Sequence, residues 1–171
     1  YREIGDKRST ALSLNNLGNS FYMRNDYQSA QKHYSDALAI GRETGDRYIT
    51  ALGLTSLGIT VFQQGKYAEA EACYEEGMTL NRALQYASGI TLLHCYQGLL
   101  ALVRGQITPA RESFHAGLKL AHEGNIKVYF IYNLIGYASV FLVENKLSAA
   151  VKLLSVSSAT VDSIGFKMET E

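Results

Sequence analysis

The sequence repeats with a period of forty residues. At that spacing Ala30, Ala70, Ala110 and Ala150 align, as do Gly18, Gly58, Gly98 and Ala138. Tyr34, Tyr74, Phe114 and Leu154 form a third column, and Asn25, Gly65, Gly105 and Asn145 a fourth. No insertion or deletion interrupts this register between Leu14 and Gly165. A period of this length marks a solenoid, whose units bury their apolar faces only by stacking on one another. A chain built this way offers a long surface for holding other molecules.

Within each unit the apolar positions recur three and four residues apart, the helical period. In the first unit they are Leu14, Leu17, Gly18 and Phe21, then Tyr27, Ala30, Tyr34, Ala37 and Leu38. The column of Asn25, Gly65, Gly105 and Asn145 falls between the two runs. Gly and Asn tolerate the left-handed conformation that ends a helix, so this column predicts the turn inside each pair. Gly45, Gln85, Asn125 and Gly165 predict the turns between pairs. Asp26 is placed to cap the helix that follows it. Pro109, the only proline, falls in the first turn of its helix, where a missing N–H costs nothing.

Eight helices are predicted, over 7–24, 27–44, 47–64, 67–84, 87–104, 107–124, 127–144 and 147–164. The fold class is all-α: a right-handed α-solenoid of four helix hairpins in one domain, 1–171, with units near 7–46, 47–86, 87–126 and 127–166. The small column at 18, 58, 98 and 138 is expected to let the second helix of each pair approach closely. The aromatic at 34, 74 and 114 is expected to fill the space toward the next unit.

Composition narrows the function classes. At 171 residues the chain can bury about 70% of its unfolded surface without a disulfide or metal staple. Residues 1–85 carry nine Lys/Arg and ten Asp/Glu, and residues 86–171 carry seven and six. Neither half offers the basic stripe of a nucleic-acid or anionic-membrane surface. Cys73 and Cys95 have no second pair for a zinc site and read as buried free thiols in a reducing, cytoplasmic setting. Two uncharged stretches, 83–103 and 128–143, coincide with expected buried helices. The second is 16 residues long, about 24 Å of helix against a roughly 30 Å hydrocarbon core, so neither is read as spanning a membrane.

The columns resemble the tetratricopeptide repeat (TPR). Its Leu, Gly and aromatic, followed by Ala, aromatic and Ala, are matched by Leu17, Gly18, Phe21, Ala30, Tyr34 and Ala37. Leu57, Gly58, Tyr67, Ala70 and Tyr74 match in the second unit. The later units are worn: Gln97 and Tyr137 stand where Leu17 does, and Ser157 replaces Ala37. The usual unit has about 34 residues; forty implies the longer helices of the MalT-like group. The segments 43–47 and 65–70 resemble repeats at the C-terminal end of bacterial STAND-type signalling ATPases and transcription regulators. The run from Asn145 to Leu154, with Ile164-Gly165, is similar to the closing helix pair of those chains, from which Ser155, Val156 and Ser157 depart. Tyr1 to Asp6 echoes Gly41 to Asp46 and the sequence has no initiating methionine, so the expectation is a piece of a longer array.

The resemblance implies that the first helix of each pair lines a concave groove for peptide ligands. The lining residues would be Asn15, Asn16, Asn19, Tyr22 and Met23 from the first unit, and Thr55, Ser56, Ile59, Phe62 and Gln63 from the second. The third would give Tyr96, Leu99, Leu102 and Val103, and the fourth Tyr132, Ile135, Ser139 and Leu142. Asn16 stands where long-helix TPR families keep an Asn that hydrogen-bonds ligand backbone; an amide both donates and accepts, which suits an extended peptide. The alternative is a solvated Asn on an exposed face. The apolar lining of units three and four implies either a partner or burial within the solenoid itself. The carboxylate clamp of chaperone-binding TPR proteins needs cations where this chain has Asn15, Asn19, Ser56, Leu92 and Tyr96.

His33, His94, His115 and His122 lack carboxylates or thiols at ligand spacing, so no metal site, catalytic residue or cofactor is expected. Glu69, Glu71, Glu75 and Glu76 read as a solvated helix face. The expected function is therefore non-enzymatic: a scaffold for a protein or peptide, as the sensor arm of a larger regulator. A self-association module and a small-molecule sensor, with Tyr96, Tyr132 and Phe62 forming its pocket, stand as alternatives.

Overall fold

The computed structural model describes residues 2–164, with side chains from residue 6 to residue 159. Eight α-helices account for them: α1 (Arg2–Met23), α2 (Tyr27–Thr44), α3 (Arg47–Gln63), α4 (Tyr67–Ala83), α5 (Ala87–Val103), α6 (Ile107–Glu123), α7 (Lys127–Val143) and α8 (Leu147–Ile164). The described residues contain no strand. All helices fall where the forty-residue period puts them, except that α1 begins by Arg2 rather than at residue 7. Two compact units divide within α5, Tyr1–Gly89 and Ile90–Glu171.

The turns follow the two small columns. Asn25, Gly65, Gly105 and Asn145 take φ of 60°, 76°, 71° and 63°, and Gly45, Gln85 and Asn125 take 68°, 52° and 51°. Gly165 lies outside the described residues. Gln85 adopts the left-handed conformation although its side chain gives it no special tolerance for it. At Gly45 the backbone N–H closes α2 onto the carbonyls of Arg42 and Gly41.

Two aspartates cap helices. Asp26 Oδ1 accepts from the Ser29 N–H at 3.1 Å, and hydrogen bonding from the Ser29 side chain, then from this N–H, holds its carboxyl below the usual carboxylate range. Asp46 Oδ1 accepts from the N–H groups of Tyr48 and Ile49 at 3.0 and 3.1 Å, and its second oxygen pairs with Arg8 at 2.8 Å. Asp46→Ala is expected to cost about 1 kcal/mol through the lost cap. That is a fall in Tm of about 2–4 °C for a chain of this size, read by circular dichroism.

The small column works as anticipated, but its partner is nearer than expected. A Cβ on Gly18 would stand 2.6 Å from the Tyr34 ring, on Gly58 2.8 Å from Tyr74, and on Gly98 2.6 Å from Phe114. Each aromatic therefore packs against the glycine of its own hairpin. Phe114 also meets the following hairpin: a Cβ on Gly136 would sit 2.1 Å from its ring. Where Leu154 replaces the aromatic, Ala138 replaces the glycine, so the volume at the crossing is kept. Tyr74 and Phe114 are fully buried, each contributing about 1.5–3 kcal/mol of apolar burial.

Between hairpins the contacts are also close. In the first unit Gly41 abuts the Thr50 N and the Ile49 side chain, and Gly53 abuts Leu38. Two buried asparagines complete the other junctions. Asn81 Nδ2 donates to the Gly77 carbonyl at 2.8 Å, while its oxygen lies against Gly89. In the second unit Asn133 Nδ2 donates to the carbonyls of Thr91 at 3.2 Å and Tyr129 at 2.8 Å, and its oxygen lies against Gly117. Neither asparagine is among the sequence-level candidates.

Candidate functional site

The predicted lining residues divide between the two compact units, and each unit presents its own face. In the first unit α1 exposes Asn16, Asn19 and Met23 and half-buries Tyr22, while α3 exposes Gln63 and half-buries Ser56, Ile59 and Phe62. The helices are joined there: Gln63 Nε2 donates to Tyr22 Oη at 3.3 Å. Tyr22 tilts against Tyr27 and Phe62 against Tyr67, with ring centroids 5.5 and 5.6 Å apart. Asn15 and Thr55 belong instead to the interior, at 5% and 6% exposure. Cys95, the next member of their column, is buried as well, whereas Ile135 in the fourth unit is exposed; neither Asn15 nor Thr55 lines a groove. The Thr55 hydroxyl is spent on the Ala51 carbonyl one turn earlier, at 2.8 Å.

The hydrogen bonding of this face orients its amides. Tyr34 Oη donates to Asn19 Oδ1 at 2.7 Å. Burial, aided by the neighbouring Tyr22, pushes the Tyr34 hydroxyl up to about 12, so it stays a neutral donor throughout the range in which proteins work. With its oxygen so occupied, Asn19 turns its two N–H donors outward. Asn16 gives its backbone carbonyl to Ser20 Oγ at 3.2 Å and keeps its side-chain amide in solvent. The result is a polar, aromatic-edged surface with ready-made donors and acceptors.

The second unit differs. On α5, Tyr96, Leu99 and Leu102 are half-buried. Leu99 and Leu102 pack against the cluster of Cys95, Ala101, Ala110, Phe114 and Val140. On α7, Tyr132, Ile135 and Leu142 remain 48%, 45% and 46% exposed. Ser139 is half-buried, its hydroxyl donating to the Ile135 carbonyl at 3.1 Å. The two readings of the apolar lining thus apportion between helices: α5 is largely covered internally, and α7 is left open. At the end of α7, Arg111 and Lys146 flank the Phe141 ring at 5.5 and 5.9 Å, and both pair with Glu144. Arg111 first, then Lys146, holds the Glu144 carboxyl below its ordinary range.

The remaining polar groups have structural surroundings. His33 stacks on Phe21 with centroids 5.2 Å apart, and His115 and His122 are exposed. Glu76 pairs with Arg42 across the α2–α4 surface at 2.7 Å. Among the described residues no group of three His, Cys, Asp or Glu is placed to hold a metal. Cys73 and Cys95 are free thiols; burial pushes Cys95 up to about 12. No helix of the described residues is long and apolar enough to cross a membrane.

Helix hairpins in a forty-residue register, with a small residue under each aromatic crossing, define a TPR-like helical-repeat fold. Residues 9–83 match the family model for the tetratricopeptide repeat. Solved structures that resemble the chain include aspartyl phosphate phosphatase F from Bacillus subtilis, with a TM-score of 0.82 and 14% identity over 94% of this chain. The apo form of RapI gives 0.78 and 12% over 92%, and BtubC (BKLC) from P. vanneervenii gives 0.74 and 15% over 94%. This chain spans 42%, 57% and 66% of those three. At such identities the likeness is one of fold. No curated protein matches the sequence significantly.

Proposed function

We propose that this chain is a non-enzymatic protein-interaction scaffold that holds an extended peptide or partner segment across α1 and α3. The observation that carries this reading is the arrangement of Asn16, Asn19, Tyr22 and Gln63. Asn16 presents an unengaged amide, Asn19 is turned by Tyr34 so that its donors face out, and Tyr22 and Gln63 bridge the two helices beside them. An extended backbone offers alternating N–H and C=O groups that such side chains can satisfy. The exposed apolar residues of α7 supply anchors for side chains of a partner in the second unit.

The wider setting rests on the resemblance at 43–47, 65–70 and 145–154: the sensor arm of a bacterial STAND-type signalling ATPase or transcription regulator, acting in signal transduction. Free thiols, buried at Cys95 and half-buried at Cys73, fit a reducing cytoplasm. The test is selection of peptides from a random library on the purified chain. Asn16→Ala is expected to weaken a selected peptide about tenfold, near 1.4 kcal/mol, by calorimetry. Unchanged affinity for every selected peptide in both Asn16→Ala and Gln63→Ala would remove the site from α1 and α3.

A further inference from the structure

One edge of the first unit carries a repeated aromatic pair. Tyr22 and Tyr27 meet across the turn of the first hairpin, with ring centroids 5.5 Å apart and planes at 59°. Forty residues on, Phe62 and Tyr67 repeat the arrangement at 5.6 Å and 56°. The openness of this edge does not come from where the sequence starts. Gln63 is exposed and Tyr67 is 37% exposed in the second hairpin, which has α1 and α2 before it and α5 after it in the chain. Three hydrogen bonds fix one pair relative to the other. Gln63 Nε2 donates to Tyr22 Oη at 3.3 Å, Gln64 Nε2 to the Tyr27 carbonyl at 3.0 Å, and Lys66 Nζ to Gln31 Oε1 at 3.1 Å. In the second unit Leu102 with Ile107, and Leu142 with Leu147, hold the equivalent positions, so the rings belong to the first unit alone.

We propose that this edge binds a proline-rich segment in the polyproline II conformation, which rests on the binding face assigned above to α1 and α3 and names its occupant. Three observations select such a segment. The first is spacing. α1 and α3 pack directly on one another, and packed helices lie about 8–10 Å apart, so the aromatic pairs recur at about that distance. Three residues of polyproline II rise about 9.3 Å, which sets prolines i and i+3 on successive pairs. A β-strand returns to the same face every 6.8 Å or about that, and falls out of step. The second is the polarity of the hydrogen bonds. Tyr22 Oη accepts from Gln63 and so has its own hydrogen to give, and Asn19, its oxygen taken by Tyr34, turns two N–H donors outward. Donors therefore predominate, with Asn16 left to meet the N–H of a residue between prolines. A proline-rich backbone is the match, since each proline keeps its carbonyl and has no N–H. The third is charge. Residues 9–23 and 48–65 contain no charged side chain. A charged segment would lose water there without gaining a counter-charge, whereas proline rings lay apolar surface on the aromatic faces in a conformation already formed in the free peptide.

Calorimetry of the full chain should show decaproline binding about tenfold tighter than a Gly-Ser decapeptide, with little change between low and high salt. Tyr67→Ala should weaken decaproline about tenfold while leaving the helical circular-dichroism spectrum unchanged. Tyr22→Phe, which keeps the ring and removes the donor, should weaken it about threefold. Equal affinity for the two peptides would overturn the proposal, as would decaproline binding that survives Tyr67→Ala. A dimer of the free chain that Tyr67→Ala disperses, read by sedimentation, would assign the edge to a second copy instead. Library peptides that depend on Asn16 yet carry no excess of proline and ignore Tyr67→Ala would overturn this occupant and leave the amide contacts of α1 and α3 standing. Library peptides indifferent to Asn16→Ala and Gln63→Ala, with decaproline still lost in Tyr67→Ala, would remove the amide contacts and keep the aromatic edge.

Discussion

Gly136→Leu should lower Tm by about 4–8 °C, the largest effect of any single apolar substitution considered. Its first side-chain carbon would already lie 2.1 Å from the Phe114 ring, which is fully buried and held from the other side by Gly98. The ring cannot swing away, because a Cβ at Gly98 would itself be only 2.6 Å from it. Overpacking of this kind costs about 1–3 kcal/mol or more, against which the better helix propensity of leucine returns about 0.8 kcal/mol. At about 2–4 °C per kcal/mol, a net of about 2 kcal/mol gives the stated shift. The mechanism is checked by a double mutant. Gly136→Ala alone should be destabilising, and Phe114→Leu should relieve most of that loss. Additive losses in the two mutants would show that the ring is not the obstacle.

Asn133→Asp should be the most damaging isosteric change, costing at least about 3 kcal/mol at pH 7. The amide nitrogen donates to two carbonyls, Thr91 and Tyr129, in a fully buried position. A carboxylate there faces both carbonyl oxygens, and its other oxygen takes the place of the buried amide oxygen that accepts no hydrogen bond. Burial and the carbonyl dipoles both disfavour the charged form, so the carboxyl's folded pKa is raised above its unfolded value of about 3.9. A raised folded pKa means that the variant is most stable below about pH 4, where the acid is protonated in both states and its O–H can serve one carbonyl. Stability then falls as pH rises through the folded pKa and levels off above it. Urea unfolding of the variant and the parent from pH 4 to 8 measures the difference, and a flat difference across that range would show that the side chain escapes to solvent.

The fold was legible because the same volume must be met at the same place in every unit. Glycine lies under tyrosine or phenylalanine in three hairpins and alanine under leucine in the fourth, which a forty-residue alignment exposes directly. The turns were legible for a related reason: Asn and Gly relieve the cost of positive φ, and only Gln85 departs from that rule. The junctions between hairpins were not legible. Their complementarity is kept largely by pairs, with Gly53 against Leu38 in one place and Gly89 against Asn81 in another, and only the column of Ala37, Gly77, Gly117 and Ser157 stays small throughout. A search for glycines offset against buried amides, such as Gly89 with Asn81, would have been needed to find them. Asn15 and Thr55 were misplaced because one step around a helix, about 100°, separates a surface position from an interior one. Their neighbours Asn16 and Ser56 are the ones that reach outside.

The amide of Asn133 has a last implication. By clasping Thr91 it ties the first helices of two successive hairpins directly, without passing through the helix between them. The distance between corresponding rungs of the ladder is then held by this amide together with the Phe114 ring that meets both Gly98 and Gly136. Any molecule that spans α5 and α7 is measured against that gauge, and retuning what can bridge them requires only a change at a residue the bound molecule never touches.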